Sequence, residues 1–379
     1  MNDARGAAAV QRLVIDAGYL ADLLGRLLET PSPSGYTDQV VRLVCAELDA
    51  LGIDYELTRR GAIRANLEGR RRSPDRAVIA HLDTLGAMVK SLKDNGRLAV
   101  VPIGTWSARF AEGARVTVFR DGGSHARGTI LPLKASGHVY NKEIDSQPVA
   151  WDNLEIRVDE IAGDGHDLER LGFHVGDYVA VDSAPEFAEG GFVNARHLDD
   201  KAGVAAVLAA AKALVEGKAH FAIDCHLLFT ISEEVGVGAS AVLHGDVAEM
   251  VSIDNGTIAP GQNTSAYGVT IAMQDSSGPF DWHLTHKLIE LCREHGIEHS
   301  RDVFRYYRSD AAAAVEAGND IRTSLLCFAL DASHGYERTH MDSLLRLAEL
   351  LALYIQSGPV GARDTQELGP LEGLPEQPA

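Results

Sequence analysis

His81 and Asp83 lie in the run Ala77-Val-Ile-Ala-His-Leu-Asp-Thr84, and the groups downstream give them meaning: Asp199, the pair Glu233-Glu234, Asp254 and His340. Imidazole nitrogen and carboxylate oxygen are good ligands for zinc or cobalt. Two such ions, held about 3.5–4 Å apart, need a carboxylate between them to offset their repulsion. Asp199 can bridge, His81, Glu234, Asp254 and His340 can complete two ligand sets, and Glu233 can stay unligated as a general base for an activated water. The chemistry this inventory points to is hydrolysis by a dinuclear metal centre.

Each member has a plainer reading when taken singly. A lone His-x-Asp is usually a surface pair. An aspartate at a helix start, as Asp199 is, is favoured for capping alone. With 15 histidines in the chain, any one is ordinarily a packing or surface residue. His197 carries no spacing that marks it as a ligand, whereas His334, in Asp331-Ala-Ser-His-Gly335, competes with His340 for the second imidazole position. Asp83, two residues beyond His81, shares its face in extended backbone, which suits a carboxylate accepting the second ring N–H and fixing the tautomer. Glu233 and Glu234 are adjacent, so they serve one site only where a strand is ending, and Gly236 and Gly238 make that ending plausible. Adjacent carboxylates do not suit a glycosidase, whose pair stands about 5–10 Å apart across a sugar.

The elements that must position these groups can be read from periodicity. Asp16 caps a helix with leucines at 20, 23, 24, 27 and 28, and a second amphipathic helix runs over about 38–51. Ala77–Ala80 is short and apolar throughout, as a buried central strand should be, so His81 sits at a strand end where α/β proteins place ligands. From 88 to 185 the texture changes to short β-prone runs between Gly, Asp and Asn turns, which predicts a small inserted all-β domain. Strand–helix alternation then resumes through a last helix at 341–355. The expected fold is therefore α/β: a catalytic domain with a mostly parallel sheet and helices on both faces, built from 1–87 and 186–356, with the β insert at 88–185. Residues 357–379, rich in Gly, Pro and Glu, read as a disordered tail, and the chain start reads as loose.

Bulk properties exclude some partners. A formal charge of −19, from 54 acidic and 35 basic residues, argues against nucleic acid or an anionic membrane. No leader pattern opens the chain, and the longest apolar stretch, 204–215, is interrupted by Lys212. The four cysteines form no CxxC and read as buried free thiols. Together these features predict a cytoplasmic protein.

Seven ordered motifs carry a resemblance: Pro31-Ser-Pro-Ser-Gly35, Ala80-His-Leu-Asp83, Leu198-Asp-Asp-Lys201, Ser232-Glu-Glu-Val-Gly236, Ile253-Asp254, Ser309-Asp-Ala311 and Arg338-Thr-His340. With a further match at 128–138, the chain resembles the tetrahedral-type co-catalytic metallo-aminopeptidases, the group of glutamyl and deblocking aminopeptidases, over about residues 20–355. The resemblance implies that His81 and Asp254 hold one metal and Glu234 and His340 the other. It further implies Asp199 as the bridge, Glu233 as the base, and zinc or cobalt as the ion; Glu233 and Asp83, the latter through its place beside His81, are the expected catalytic residues. A homo-oligomer, often a dodecamer, is implied too. The last motif departs from the family's usual Arg, aromatic, Thr or Ile, His-Ser: it is one residue tighter, and Met341 follows the histidine. Some details resemble a subgroup linked to an N-acetylated glutamine dipeptide osmolyte. Removal of N-terminal residues from short peptides is the leading reading. An N-acyl or amide deacylase of a small metabolite, and a non-catalytic assembly or binding protein, are the alternatives.

Overall fold

The computed structural model describes residues 10–366 and 368–378; the first nine residues of the expected loose start lie outside them. Four strands form the centre of the main sheet, in the order Cys225–Thr230, Asp75–His81, Val247–Ile258 and Arg322–Asp331, all parallel. They are buried on both faces because helices cover both. Every residue of Asp75–His81 and Cys225–Thr230 is buried. Antiparallel strands flank this centre: Ile63–Leu67 and Tyr55–Leu57 on one side, and Glu337–His340, Phe192–Ala195 and Glu186–Phe187 on the other.

The helices follow from their stripes. Ala17–Glu29 buries Leu20, Leu23, Leu24, Leu27 and Leu28, and Asp16 caps it by accepting the Tyr19 N–H at 3.0 Å. Asp38–Leu51 ends on Gly52 in the left-handed region. Leu198–Glu216 is buried over nearly its whole length and packs on the sheet, while Met341–Gln356 closes the chain's last turn of architecture. Among the described residues, no helix is long and apolar enough to cross a membrane.

Between His81 and Glu186 the chain leaves the sheet to form a closed six-stranded barrel, Gly86–Leu92, Leu98–Ile103, Leu154–Val158, His125–Pro132, Arg115–Phe119 and Tyr178–Val181 in spatial order. The barrel has an apolar core of its own, including Val89, Val100, Val116, Val118 and Ile156.

The segment after Gln356 departs from the expected disorder. Arg76, fully buried, pairs with Glu249 at 2.7 Å and donates to the carbonyls of Tyr354, Ile355 and Gly358. Glu249 in turn accepts the Val360 N–H at 2.9 Å, and Arg322 pairs with Asp364 at 2.9 Å. The buried charges beneath the sheet need partners, and the chain beyond the helix supplies them.

Candidate active site

The ligand-type residues gather at the carboxyl edge of the parallel strands. His81 is the last residue of its strand and pairs in register with Thr230, so Glu233 and Glu234 stand in the turn just past a neighbouring strand end. On the other side Ser252 pairs with Ile79, which brings Asp254 to the level of His81. Asp199 stands where the chain returns from the barrel. It is counted into the helix Leu198–Glu216, but its backbone (φ −75°, ψ 108°) is extended, not helical.

The distances sort the cluster around Asp199. One carboxylate oxygen lies 3.2 Å from His81 Nε2, and the other lies 3.5 Å from His334 Nε2. His81, Asp199 and Asp254 offer donor atoms all within 4.8 Å of one another. Glu234 Oε2 lies 3.8 Å from His334 Nε2, and Glu233 Oε2 lies 3.9 Å from His81 Nε2. Asp199 thus faces two imidazoles, with Asp254 and Glu233 beside His81 and Glu234 beside His334.

His340 is not brought to this cluster. Its Nε2 bonds the Gly190 carbonyl at 2.9 Å, and its Nδ1 accepts the Asp342 N–H at 3.1 Å, capping the last helix. The ring packs edge-on against Phe192 and Tyr267 at 4.8 and 4.9 Å. Gly191 (φ +84°) lies so close that a Cβ there would come within 2.6 Å of Nε2. His340 ends a short strand paired with Phe192–Ala195, and that pairing fixes its ring away from Asp199. His334 takes the expected place instead. It sits in a left-handed conformation (φ 64°) in the turn just beyond the strand Arg322–Asp331.

Asp83 also differs from expectation. His81 Nδ1 meets the Asp83 main-chain carbonyl at 2.9 Å, whereas the Asp83 carboxylate is 3.7 Å away. The strand ends at His81, so face alternation no longer governs Asp83. Its carboxylate turns instead to the glutamate turn, accepting the N–H groups of Glu233 (3.0 Å) and Glu234 (3.3 Å) and the Ser34 hydroxyl (2.5 Å).

Three further residues shape the site. Asn255 Nδ2 donates to Asp199 at 2.8 Å and to Asp254 at 3.0 Å, and its carbonyl accepts the Tyr307 hydroxyl at 2.6 Å. Asp310 accepts from the Thr230 hydroxyl and the Ala239 N–H, at 2.6 and 2.7 Å. Glu337 accepts the N–H groups of Asp199 and His334. The Ser309-Asp-Ala311 motif marked Asp310 without giving it a role; no signal in composition or spacing marked Asn255 or Glu337.

Electrostatics show what this crowding requires. Burial, followed by the charges of neighbouring carboxylates, pushes Glu233 and Asp254 well above the usual carboxylate range and Glu234 up to about 8. Burial opposes ionisation of Asp199 as well, yet hydrogen bonds from His334 and His81 hold its carboxyl below the ordinary range. Burial would lower the two imidazoles, but Asp199 and its neighbours hold His334 up at about 10 and His81 well above its usual value. Buried anions need compensating positive charge. A donor set of two imidazoles and several converging carboxylates, in a pocket that penalises their charge, fits divalent cations.

The cluster opens onto a cavity of about 700 Å³ lined also by Thr105, Thr257, Tyr306, Tyr307, Arg308 and Ser309. An α/β sheet with a barrel insert, and a buried His–carboxylate cluster at the strand ends beside a cleft, define a metallopeptidase-type hydrolase.

The comparisons with known proteins agree. The profile of the M42 glutamyl aminopeptidase family matches residues 61–350, and the chain belongs to that family. It is 37% identical over 336 residues to YhfE of Bacillus subtilis, a protein named as an aminopeptidase; the match covers 89% of this chain and 97% of the relative. The fold matches aminopeptidase APDkam598 from Desulfurococcus kamchatkensis with a TM-score of 0.82 at 22% identity, covering 94% of this chain and 99% of that one. It also matches Pyrococcus horikoshii TET1 peptidase with a TM-score of 0.78 at 23% identity, covering 89% and 99%. The protein is a peptide-bond hydrolase of aminopeptidase type, in a family of metallopeptidases.

Proposed function

We propose that this aminopeptidase works with two divalent ions, zinc or cobalt, and removes N-terminal residues from short peptides. His81 and Asp254 would hold one ion, Glu234 and His334 the other, with Asp199 shared. The observation that carries this reading is the placement of the two Asp199 oxygens, one beside each imidazole. When bound, such ions polarise the scissile carbonyl and lower the pKa of water.

The remaining chemistry belongs to the chain. The Asp83 carbonyl accepts the His81 Nδ1–H, which leaves the Nε2 lone pair directed at the cluster. Glu233 is at the rim of the buried group, with its side chain 14% exposed, and faces the cleft. Its carboxylate takes a proton from the attacking water and returns it to the departing amine. Asp83 holds the Glu233 and Glu234 main chain, which keeps base and ligand from exchanging places.

Assembly belongs to the same proposal. Pyrococcus horikoshii TET1 can form a tetrahedron or a large octahedral shell, and we infer a homo-oligomer, a dodecamer of 40.6 kDa subunits, for this chain. The exposed apolar side chains Val139 and Ile161 on the barrel insert, 73% and 99% accessible, offer contact area. Free thiols throughout the described residues support a reducing, cytoplasmic setting.

The test is hydrolysis of aminoacyl-nitroanilides alongside metal analysis and native mass. Metal-dependent turnover of free-amino substrates supports the proposal. Preferential turnover of an N-acetylated dipeptide amide would favour a deacylase and refute it.

A further inference from the structure

Glu337 is 1% exposed and takes no part in the donor set, yet both of its carboxylate oxygens are committed. Oε1 accepts the His334 N–H at 2.8 Å, and Oε2 accepts the Asp199 N–H at 3.2 Å. One side chain thereby spans the main chain of the two residues that the proposed centre most needs to keep in register.

Neither of those residues is held by regular structure. Asp199 stands in the first turn of Leu198–Glu216, where an N–H has no intrahelical acceptor, and its backbone is not helical; His334 occupies the left-handed region, which a residue with a Cβ adopts at a cost. An unpaired buried N–H is expensive, and a strained turn persists only where its surroundings enforce it. Glu337 satisfies both donors from a rigid base. It lies opposite Ala195 in the antiparallel pairing of Glu337–His340 with Phe192–Ala195, the strand that leads directly toward Asp199. Asp83 is the counterpart on the other side, where its carboxylate holds the N–H groups of Glu233 and Glu234.

We propose that Glu337 is a positioning residue that locks the Asp199 carboxylate and the His334 imidazole into the arrangement in which both face a common cation. This inference rests on the two-ion reading above. Replacing Glu337 removes no ligand side chain and takes away only the restraint on the main chain of Asp199 and His334. Outer-shell partners of this kind are typically worth about 10–100-fold in metal affinity.

The experiment is a cobalt titration of the metal-free full chain, followed by visible absorption. In Glu337→Gln the amide can accept one N–H but meets the other with a donor, so one of the two cobalt equivalents should weaken by roughly 10–100-fold with an altered spectrum. At saturating cobalt, kcat should fall while KM stays near that of the wild type. Thr339→Val, on the same strand with an unpartnered buried hydroxyl, should titrate as the wild type does and serves as the control for strand destabilisation.

A Glu337→Gln protein that folds and binds both equivalents with wild-type affinity and spectrum overturns the proposal. Should that variant fail to fold, hydrogen exchange on the metal-free wild type decides: protected amides at 199 and 334 uphold the role, and exchange at open-loop rates overturns it. A wild-type chain that binds no cobalt sinks the two-ion reading itself. Normal binding by both wild type and variant sinks only the role of Glu337.

Discussion

Exchanging His334 and His340 for alanine, one at a time, should separate metal binding from stability. His340 caps the last helix, bonds the Gly190 carbonyl and packs against two aromatic rings. A lost cap costs about 1 kcal/mol, a lost hydrogen bond about 1 kcal/mol, and the edge-on ring contacts on the order of 1 kcal/mol together. His340→Ala should therefore be destabilised by about 3 kcal/mol, or roughly 4 °C in Tm, since an unfolding entropy of about 2.1 cal/mol/K per residue over 379 residues gives about 1.3 °C per kcal/mol. Below its melting range it should keep two metal equivalents and most of its activity. His334→Ala removes the imidazole that faces both Asp199 and Glu234. It should lose about one metal equivalent and nearly all turnover, since water is a poor substitute for a histidine ligand in a two-metal site. The assays are elemental analysis after gel filtration, nitroanilide hydrolysis, and thermal melts in the presence of chelator. A His340→Ala protein that loses one metal while melting normally, or a His334→Ala protein that retains two, would refute the assignment.

Three further outcomes are expected. Glu233→Gln should lower turnover by about 100- to 10,000-fold, the worth of a positioned general base, with metal content unchanged; a matching loss of metal would show Glu233 to be a ligand. Chelation should abolish hydrolysis and lower Tm, because an ion that binds only the folded chain stabilises it by mass action, and a Tm indifferent to chelator and to added zinc would contradict this. Glu249→Gln should destabilise the chain by about 3–5 kcal/mol, as breaking a buried ion pair does, with unaltered metal content in the folded protein. Burial opposes the Glu249 charge, but Arg76 and Lys287 hold its carboxyl below the usual value. Its folded pKa thus lies under the unfolded one, so its stabilisation is complete above the ordinary glutamate value of about 4.3 and fades as the pH drops through the folded pKa. Denaturant midpoints of wild type and variant, measured from pH 7 downward, should converge at the acid end; a constant gap would count against the pair.

The elements most legible in the sequence are those whose burial is apolar. The leucine stripe at 20–28, the helix over 38–51 and the wholly buried strand ending at His81 follow directly from pattern. Glu337–His340 escaped because its inward-facing residues are Glu337 and Thr339; a strand that buries polar groups casts no hydrophobic period. The resemblance points to His340 because it follows an arginine and directly precedes the last helix, and the strand pairing overrides that order. As a strand paired to Phe192–Ala195, Arg338-Thr-His340 is held away from the metal side. His334 had one local sign in its favour, a strand-end position like that of His81, and its left-handed turn before Gly335 is what converts that position into proximity to Asp199. The same physics explains Asp83. Alternation predicts side-chain direction only while the strand lasts, and the strand stops at His81, so the carboxylate two residues on answers to the N–H groups of Glu233 and Glu234 instead. At a strand end, where alternation lapses, adjacent glutamates can face one cluster, and the same lapse makes the partner of each carboxylate unreadable from spacing alone.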